Sequence, residues 1–123
     1  MTLRIVSWNV KGLGSPIKRQ RVLSHLAKLK TQNALLQETH LIDLEVEKVT
    51  RNWVGSAFSS QGNGKRNGVI ILFHKHLDIK VTSQSADSDG RWINLNLLIN
   101  KIHFSIFNVY APTQIDKNVW PHI

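Results

Sequence analysis

Residues 34–40 read Ala34-Leu35-Leu36-Gln37-Glu38-Thr39-His40, a short continuous apolar run that turns polar at once. An unbroken apolar run of this kind suits a parallel strand covered on both faces, with the polar residues at its end. Upstream, Leu3, Ile5 and Ser7 alternate with Arg4, Val6 and Trp8, the pattern of a strand with two different faces. Asn9-Val10-Lys11-Gly12-Leu13-Gly14 ends that strand in a loop, and Ser15-Pro16 supplies a cap and a first-turn proline for a helix. From Ile17 to about Thr31, Val22, Leu23, Leu26 and Leu29 share one stripe, while Lys18, Arg19, Arg21, Lys28 and Lys30 fall largely off it, on a basic outer face. Downstream, a second helix is expected from Asp43 as cap through Val46 and Val49 to Arg51 or Asn52. Strand, helix, strand, helix opens an α/β layered fold.

The pattern then changes. Residues Gln61 to Gly68 form a basic, glycine-rich turn, and Val69-Ile70-Ile71-Leu72-Phe73 is a buried strand. A strand from Leu77 to about Ser83, a turn at Asp87-Ser88-Asp89-Gly90 and a strand from Trp92 to Ile99 follow. Asn100-Lys101 makes a tight connection into Ile102 to Tyr110, giving a hairpin.

The chain's 123 residues suit one compact domain, and 41% hydrophobic content supplies a core. Its formal charge of +8 argues for a polyanionic partner, nucleic acid first. Seven basic residues and no acidic one precede Gln37, whereas Glu38, Asp43, Glu45 and Glu47 follow closely. Without cysteine there is no disulfide frame, no thiol nucleophile and no Cys-based zinc site, which fits a reducing compartment. No apolar run approaches the roughly 20 residues that cross a bilayer, so no membrane partner is expected, and the N-terminus reads as a strand rather than a signal peptide.

Ligands collect at strand ends in open α/β sheets. Three such ends place polar side chains after apolar runs: Trp8-Asn9, Gln37-Glu38-Thr39 and Asn108-Val109-Tyr110. A carboxylate can hold Mg²⁺ or Mn²⁺, Asn offers an oxygen or a donor, and Tyr offers a hydroxyl to phosphate. Singly each is weak, since an isolated Glu after a strand is more often a solvated carboxylate. Together they make a plausible phosphodiester site. Two competing motifs carry less. His74-Lys75-His76, with His40, has no third zinc ligand at an identifiable spacing, and Gly62-Asn63-Gly64-Lys65 lacks the length and following helix of a phosphate loop.

Ser7-Trp8-Asn9-Val10-Lys11-Gly12-Leu13, Leu35-Leu36-Gln37-Glu38-Thr39-His40, Gly68-Val69-Ile70-Ile71-Leu72-Phe73, Gly90-Arg91-Trp92 and Asn108-Val109-Tyr110-Ala111-Pro112 occur in the order seen in the endonuclease/exonuclease/phosphatase superfamily. The chain resembles in particular the endonuclease domain of LINE-1-type retrotransposons, a relative of apurinic/apyrimidinic endonucleases and exonuclease III. The resemblance implies an α/β fold with a mixed sheet, the N-terminal half of a layered β-sandwich with outer helices. It implies metal-dependent hydrolysis of a DNA phosphodiester with Mg²⁺ or Mn²⁺, nicking DNA so that a 3′ hydroxyl can prime reverse transcription, and a nuclear location. By motif, Glu38 is the metal carboxylate, and Asn9 and Tyr110 are catalytic contacts. Lys11, Lys18, Arg19, Arg21, Lys65 and Arg66 are the expected contacts to DNA.

The departures set further expectations. The family's Asp-x-Asn and Ser-Asp-His segments are not found, because Asp116 lacks a preceding strand and His122 lacks an adjacent Asp. Gln32-Asn33 replace a usual acidic and apolar pair, and Thr113 stands where relatives often carry Asn. The chain therefore reads as residues 1–123 of a partial domain, inactive or nearly so by itself. Each half of the implied fold gives roughly one sheet, so Val69, Ile71, Phe104 and Ile106 are expected to lie partly uncovered and to favour self-association. The alternatives are a non-catalytic basic module that binds nucleic acid, or a retrotransposon remnant without function.

Overall fold

The computed structural model describes residues 2–61 and 66–110. The expectations placed on Lys65, the 62–65 loop, Thr113, Asp116 and His122 lie outside the described residues. Along the chain run β1 (Ile5–Asn9), α1 (Pro16–Lys28), β2 (Asn33–Gln37), α2 (Asp43–Asn52), β3 (Gly55–Ser60), β4 (Val69–His74), β5 (Ile79–Ala86), β6 (Trp92–Ile99) and β7 (Ile102–Val109).

The first sheet has the order β1-β2-β4-β3, with β1 and β2 parallel and the other pairs antiparallel. It is the mixed sheet expected. The second sheet is an antiparallel meander, β5-β6-β7. Asn100 (φ 49°) and Lys101 (φ 69°) close its last hairpin in the left-handed geometry that a two-residue turn requires.

Two apolar clusters hold three layers together. On the outer face of the first sheet, Val22, Leu23 and Leu26 of α1 and Val49 of α2, with Trp53 just beyond it, pack against Ala34, Leu36, Ile70 and Leu72. On its inner face, Val69, Ile71 and Phe73 meet Ile93, Leu95, Leu97 and Ile99 of β6. β4 therefore points apolar residues both ways, which accounts for its unbroken apolar sequence.

The expectation of one sheet from this sequence is corrected by this arrangement. The chain supplies strands to two facing sheets, and Val69 and Ile71 are fully buried between them rather than uncovered. Phe104 and Ile106 are only partly buried, and they pack against the same inner cluster. What lies open are sheet edges, since β1 and β7 each pair on one side only among the described residues, with Ile5 and Phe107 exposed.

The local chemistry of α1 follows its sequence. Ser15 Oγ accepts the Lys18 N–H at 3.4 Å, and Pro16 occupies the first turn. The helix ends when Lys30 enters the left-handed region (φ 54°), where Lys30 N–H donates to Ala27 O and Thr31 N–H to Leu26 O. α2 is capped one residue earlier than expected, with Ile42 rather than Asp43 as N-cap and Glu45 Oε1 accepting the Ile42 N–H at 3.4 Å.

Polar contacts from one side chain tie the two sheets together. Asn108 of β7 is 1% exposed, and its Nδ2 donates to Ile70 O at 2.8 Å and Leu36 O at 3.0 Å. Its Oδ1 accepts from Gln37 Nε2 at 2.8 Å. Leu36 and Ile70 are register partners on β2 and β4, so one side chain of the second sheet ties two strands of the first.

The turn between β5 and β6 is held by a second polar device. Asp87 accepts from Arg91 Nε at 2.7 Å, Nη2 at 3.2 Å and backbone N–H at 3.1 Å. The Arg91 side-chain hydrogen bond is the main reason that the Asp87 carboxyl is held below its ordinary value, and it outweighs the opposing effect of burial.

Two outcomes are expected. Asn108→Asp replaces a double donor by an acceptor facing two carbonyls, so it should lower unfolding free energy by about 3 kcal/mol, more than Asn108→Ala, in urea titrations. Because the folded carboxyl of Asp87 titrates below its unfolded value, its stabilisation is complete above that unfolded value and is lost as pH falls through the folded one. The urea midpoint of the wild type should therefore fall more steeply between about pH 5 and pH 2 than that of Asp87→Asn.

Candidate functional site

The topology gathers the motif residues at one end of the sandwich. β1 and β2 run parallel and finish there, at Asn9 and just before Glu38, while β4 and β6 run the other way and begin there, just after Gly68 and Arg91. β7 finishes there just before Tyr110, whose N–H donates to Arg91 O at 2.7 Å.

Backbone hydrogen bonds stitch these loops into one rim. Gly12 N–H donates to Glu38 O at 2.6 Å and Leu13 N–H to Thr39 O at 2.9 Å. Thr39 N–H donates to Gly68 O at 3.0 Å, His40 N–H to Asn67 O at 2.9 Å and Gly68 N–H to Gly90 O at 2.7 Å. The five links join three pairs of segments, so stretches far apart in the chain meet at one edge.

The rim holds unusual backbone. Lys11 (φ 52°), Glu38 (φ 54°) and His40 (φ 56°) are all left-handed, a conformation that costs a non-glycine residue about 1–2 kcal/mol. Gly12 (φ 96°) is a required glycine, because a Cβ there would lie 3.1 Å from His40 Nδ1. Strain of this kind persists where surrounding bonds over-determine it, and it concentrates at functional sites.

Glu38 presents its carboxylate at this rim with 23% of the side chain exposed, and His40 Nε2 stands 3.9 Å from its Oε1. That distance is too long for a hydrogen bond, and His40 Nε2 is a buried nitrogen without a hydrogen-bond partner among the described residues. Asn9 Oδ1 accepts the Lys11 N–H at 3.1 Å, which leaves the Asn9 amide NH₂ as its free donor. Tyr110 is pushed above the ordinary phenol value, first by burial and then by the Glu38 charge, against an opposing pull from Arg66. The phenol is therefore a protonated donor at neutral pH, within electrostatic range of both Glu38 and Arg66.

The basic residues separate by position. Lys18 Nζ donates to Lys11 O at 2.9 Å, which keeps that ammonium beside the loop after β1. Arg21 lies exposed one turn further along α1. Arg19 is corrected: it is 7% exposed rather than on an outer basic face, and its Nη1 donates to Leu13 O at 2.9 Å and Gly14 O at 3.0 Å. It braces the loop from within. His40 stands at this rim whereas His74 and His76 lie at the opposite end of the first sheet, so the three do not meet.

Among the described residues no group of three or more His, Cys, Asp or Glu forms a metal cage. Glu38 still suits a hard cation, because Mg²⁺ is commonly held by one or two carboxylates, with water and substrate phosphate completing its shell. The sequence singled out Glu38, Asn9 and Tyr110 and placed Gln37 and Asn108 at candidate strand ends, where the structure instead has them lock those ends from behind; His40, in the same quoted motif, was given no part in the phosphodiester site.

Similarity to known proteins agrees with this architecture. The Transposon TX1 uncharacterized 149 kDa protein of Xenopus laevis is 29% identical over 113 residues, which are 92% of this chain and 9% of that protein. The endonuclease domain of TRAS1, a telomere-specific non-LTR retrotransposon, superposes with a TM-score of 0.64 at 14% identity, covering 98% of this chain and 50% of its own. A humanized D. rerio TDP2 gives 0.64 at 20% identity, covering 85% and 45%, and the human Nocturnin catalytic domain gives 0.56 at 14%, covering 85% and 48%. The chain thus spans about half the length of these structures and a small part of the transposon protein. Residues 6–122 match the Endonuclease/Exonuclease/phosphatase family, and the chain belongs to that family.

Proposed function

We propose that this rim is the metal-binding and phosphate-binding half of a DNA phosphodiester hydrolase of retrotransposon-endonuclease type, acting in the nucleus. The observation that carries this reading is the Glu38 carboxylate, partly exposed on strained backbone among the Asn9 amide and the Tyr110 phenol, with Lys18 and Arg66 close by.

Glu38, with water and a phosphate oxygen, would hold Mg²⁺ or Mn²⁺. When bound, the cation supplies Lewis-acid polarisation of the phosphoryl oxygen. Tyr110 O–H donates to a non-bridging phosphate oxygen, because its raised pKa keeps the proton in place. The Asn9 NH₂ offers a second donor at the end of β1. Lys11, Lys18, Arg21 and Arg66 attract the flanking phosphates without reading base sequence. DNA is favoured as substrate by the +8 charge and by the transposon and retrotransposon relatives.

Among the described residues no group of three or more His, Cys, Asp or Glu gathers round Glu38, so turnover by this chain alone is expected to be slow. The non-catalytic alternative, a basic module that binds DNA without cutting, rests on the same cations.

Nicking of supercoiled plasmid in Mg²⁺ decides between the two. The wild type should nick weakly above Glu38→Ala, and Tyr110→Phe should lower the rate by about tenfold or more. Equal background for wild type and Glu38→Ala removes the catalytic reading, and a steep loss of DNA retention with salt then supports the binding module. Independently, Glu38→Gly should raise unfolding stability by about 1 kcal/mol while abolishing nicking, because glycine accepts the left-handed backbone without strain.

A further inference from the structure

At the opposite end of the first sheet, where β1 and β2 begin and β4 ends, lies a cavity of about 540 Å³ that the nuclease reading does not use. Its walls include Arg4, Lys30, His74 and His76, with Trp53 and Val54 as apolar surface, and among the described residues no carboxylate lines it. We propose that this cavity is a binding site for a small organic phosphate, a phosphate monoester carried on an apolar body.

Two observations converge. The first is basic character: Arg4, fixed by its Nη1 donating to Leu29 O at 3.0 Å, and Lys30 line the same cavity, and among the described residues no acid lines it with them. Two such cations favour an anion between them. The second is size and composition. The volume lies within the range of small-molecule sites, and an apolar indole beside a few convergent polar groups is their usual lining.

The imidazoles are held for such a role. His76 N–H donates to His74 Nδ1 at 3.2 Å, and the two rings stack with centroids 4.7 Å apart. His74 in turn meets Trp53 edge to face. Burial first, then the charges of His76 and Lys75, hold His74 below the ordinary imidazole value, so without an anion it stays neutral. Lys30 owes its place to the left-handed closure of α1, a position where glycine is the commoner choice. A lysine there gives up backbone ease for a cation at the cavity wall.

Isothermal titration with phenyl phosphate, inorganic phosphate and benzyl alcohol tests the assignment on the whole chain. Phenyl phosphate should bind saturably and about tenfold more tightly than inorganic phosphate, with benzyl alcohol silent. Lys30→Gly, which relieves the backbone while removing the cation, should weaken binding by about fivefold or more without loss of stability, and so should His76→Gln. Absence of saturable binding, or affinity unmoved by both substitutions in folded protein, overturns the site. Equal affinity for the two phosphates overturns the organic part of the assignment.

Discussion

The Asn108 amide, buried at the junction of two sheets, is the contact on which the functional rim depends. It donates to the carbonyls of Leu36 and Ile70 and accepts from Gln37, the residue immediately before Glu38. Apolar packing alone brings sheets together without fixing their offset, since Val, Ile and Leu surfaces slide at modest cost. A fully satisfied polar group set into that interface has one acceptable position. Tyr110 follows Asn108 by two residues and Glu38 follows Gln37 by one, so the same contact sets the distance between phenol and carboxylate.

The rim shows the opposite use of energy. Lys11, Glu38 and His40 occupy backbone conformations that local sequence disfavours, and they are kept there by hydrogen bonds from the loops beside them. Arg19, buried under the first loop, adds a charged brace from the helix side. A stiff sandwich behind a strained edge is a common division of labour, because pre-placed donors need no rearrangement when charge develops on a phosphate.

Much of this was legible in the sequence where one signal dominated. The apolar run of β4, the alternation of β1 and the Asn100-Lys101 turn each had one local reading, and Ser15-Pro16 marked a helix start that the structure keeps. β3 escaped because Gly55-Ser56-Ala57-Phe58-Ser59-Ser60 carries little β-branched or aromatic content. Its pairing with β4 supplies what propensity does not, and a side chain at Gly55 would run into the Phe73 carbonyl. Arg19 was placed outside because charge was weighed above helical position, whereas its acceptors are backbone carbonyls that no residue pattern displays. The two-sheet arrangement was likewise hidden, since Ile93, Leu95, Leu97 and Ile99 announce a covered face without naming its cover. For the site, strand ends pointed to Glu38, Asn9 and Tyr110, but the rim's hydrogen bonds and the role of Asn108 arise only in three dimensions.

The central claim is that the Asn108-locked sandwich presents Glu38, Asn9 and Tyr110 as one phosphate-binding and metal-binding edge. Anomalous scattering from crystals grown with Mn²⁺ and a short DNA duplex tests it most directly. The account predicts a Mn²⁺ peak on the Glu38 carboxylate, with a backbone phosphate within hydrogen-bond reach of the Tyr110 hydroxyl. Mn²⁺ bound elsewhere with Glu38 facing solvent, or DNA seated away from this edge, would contradict it.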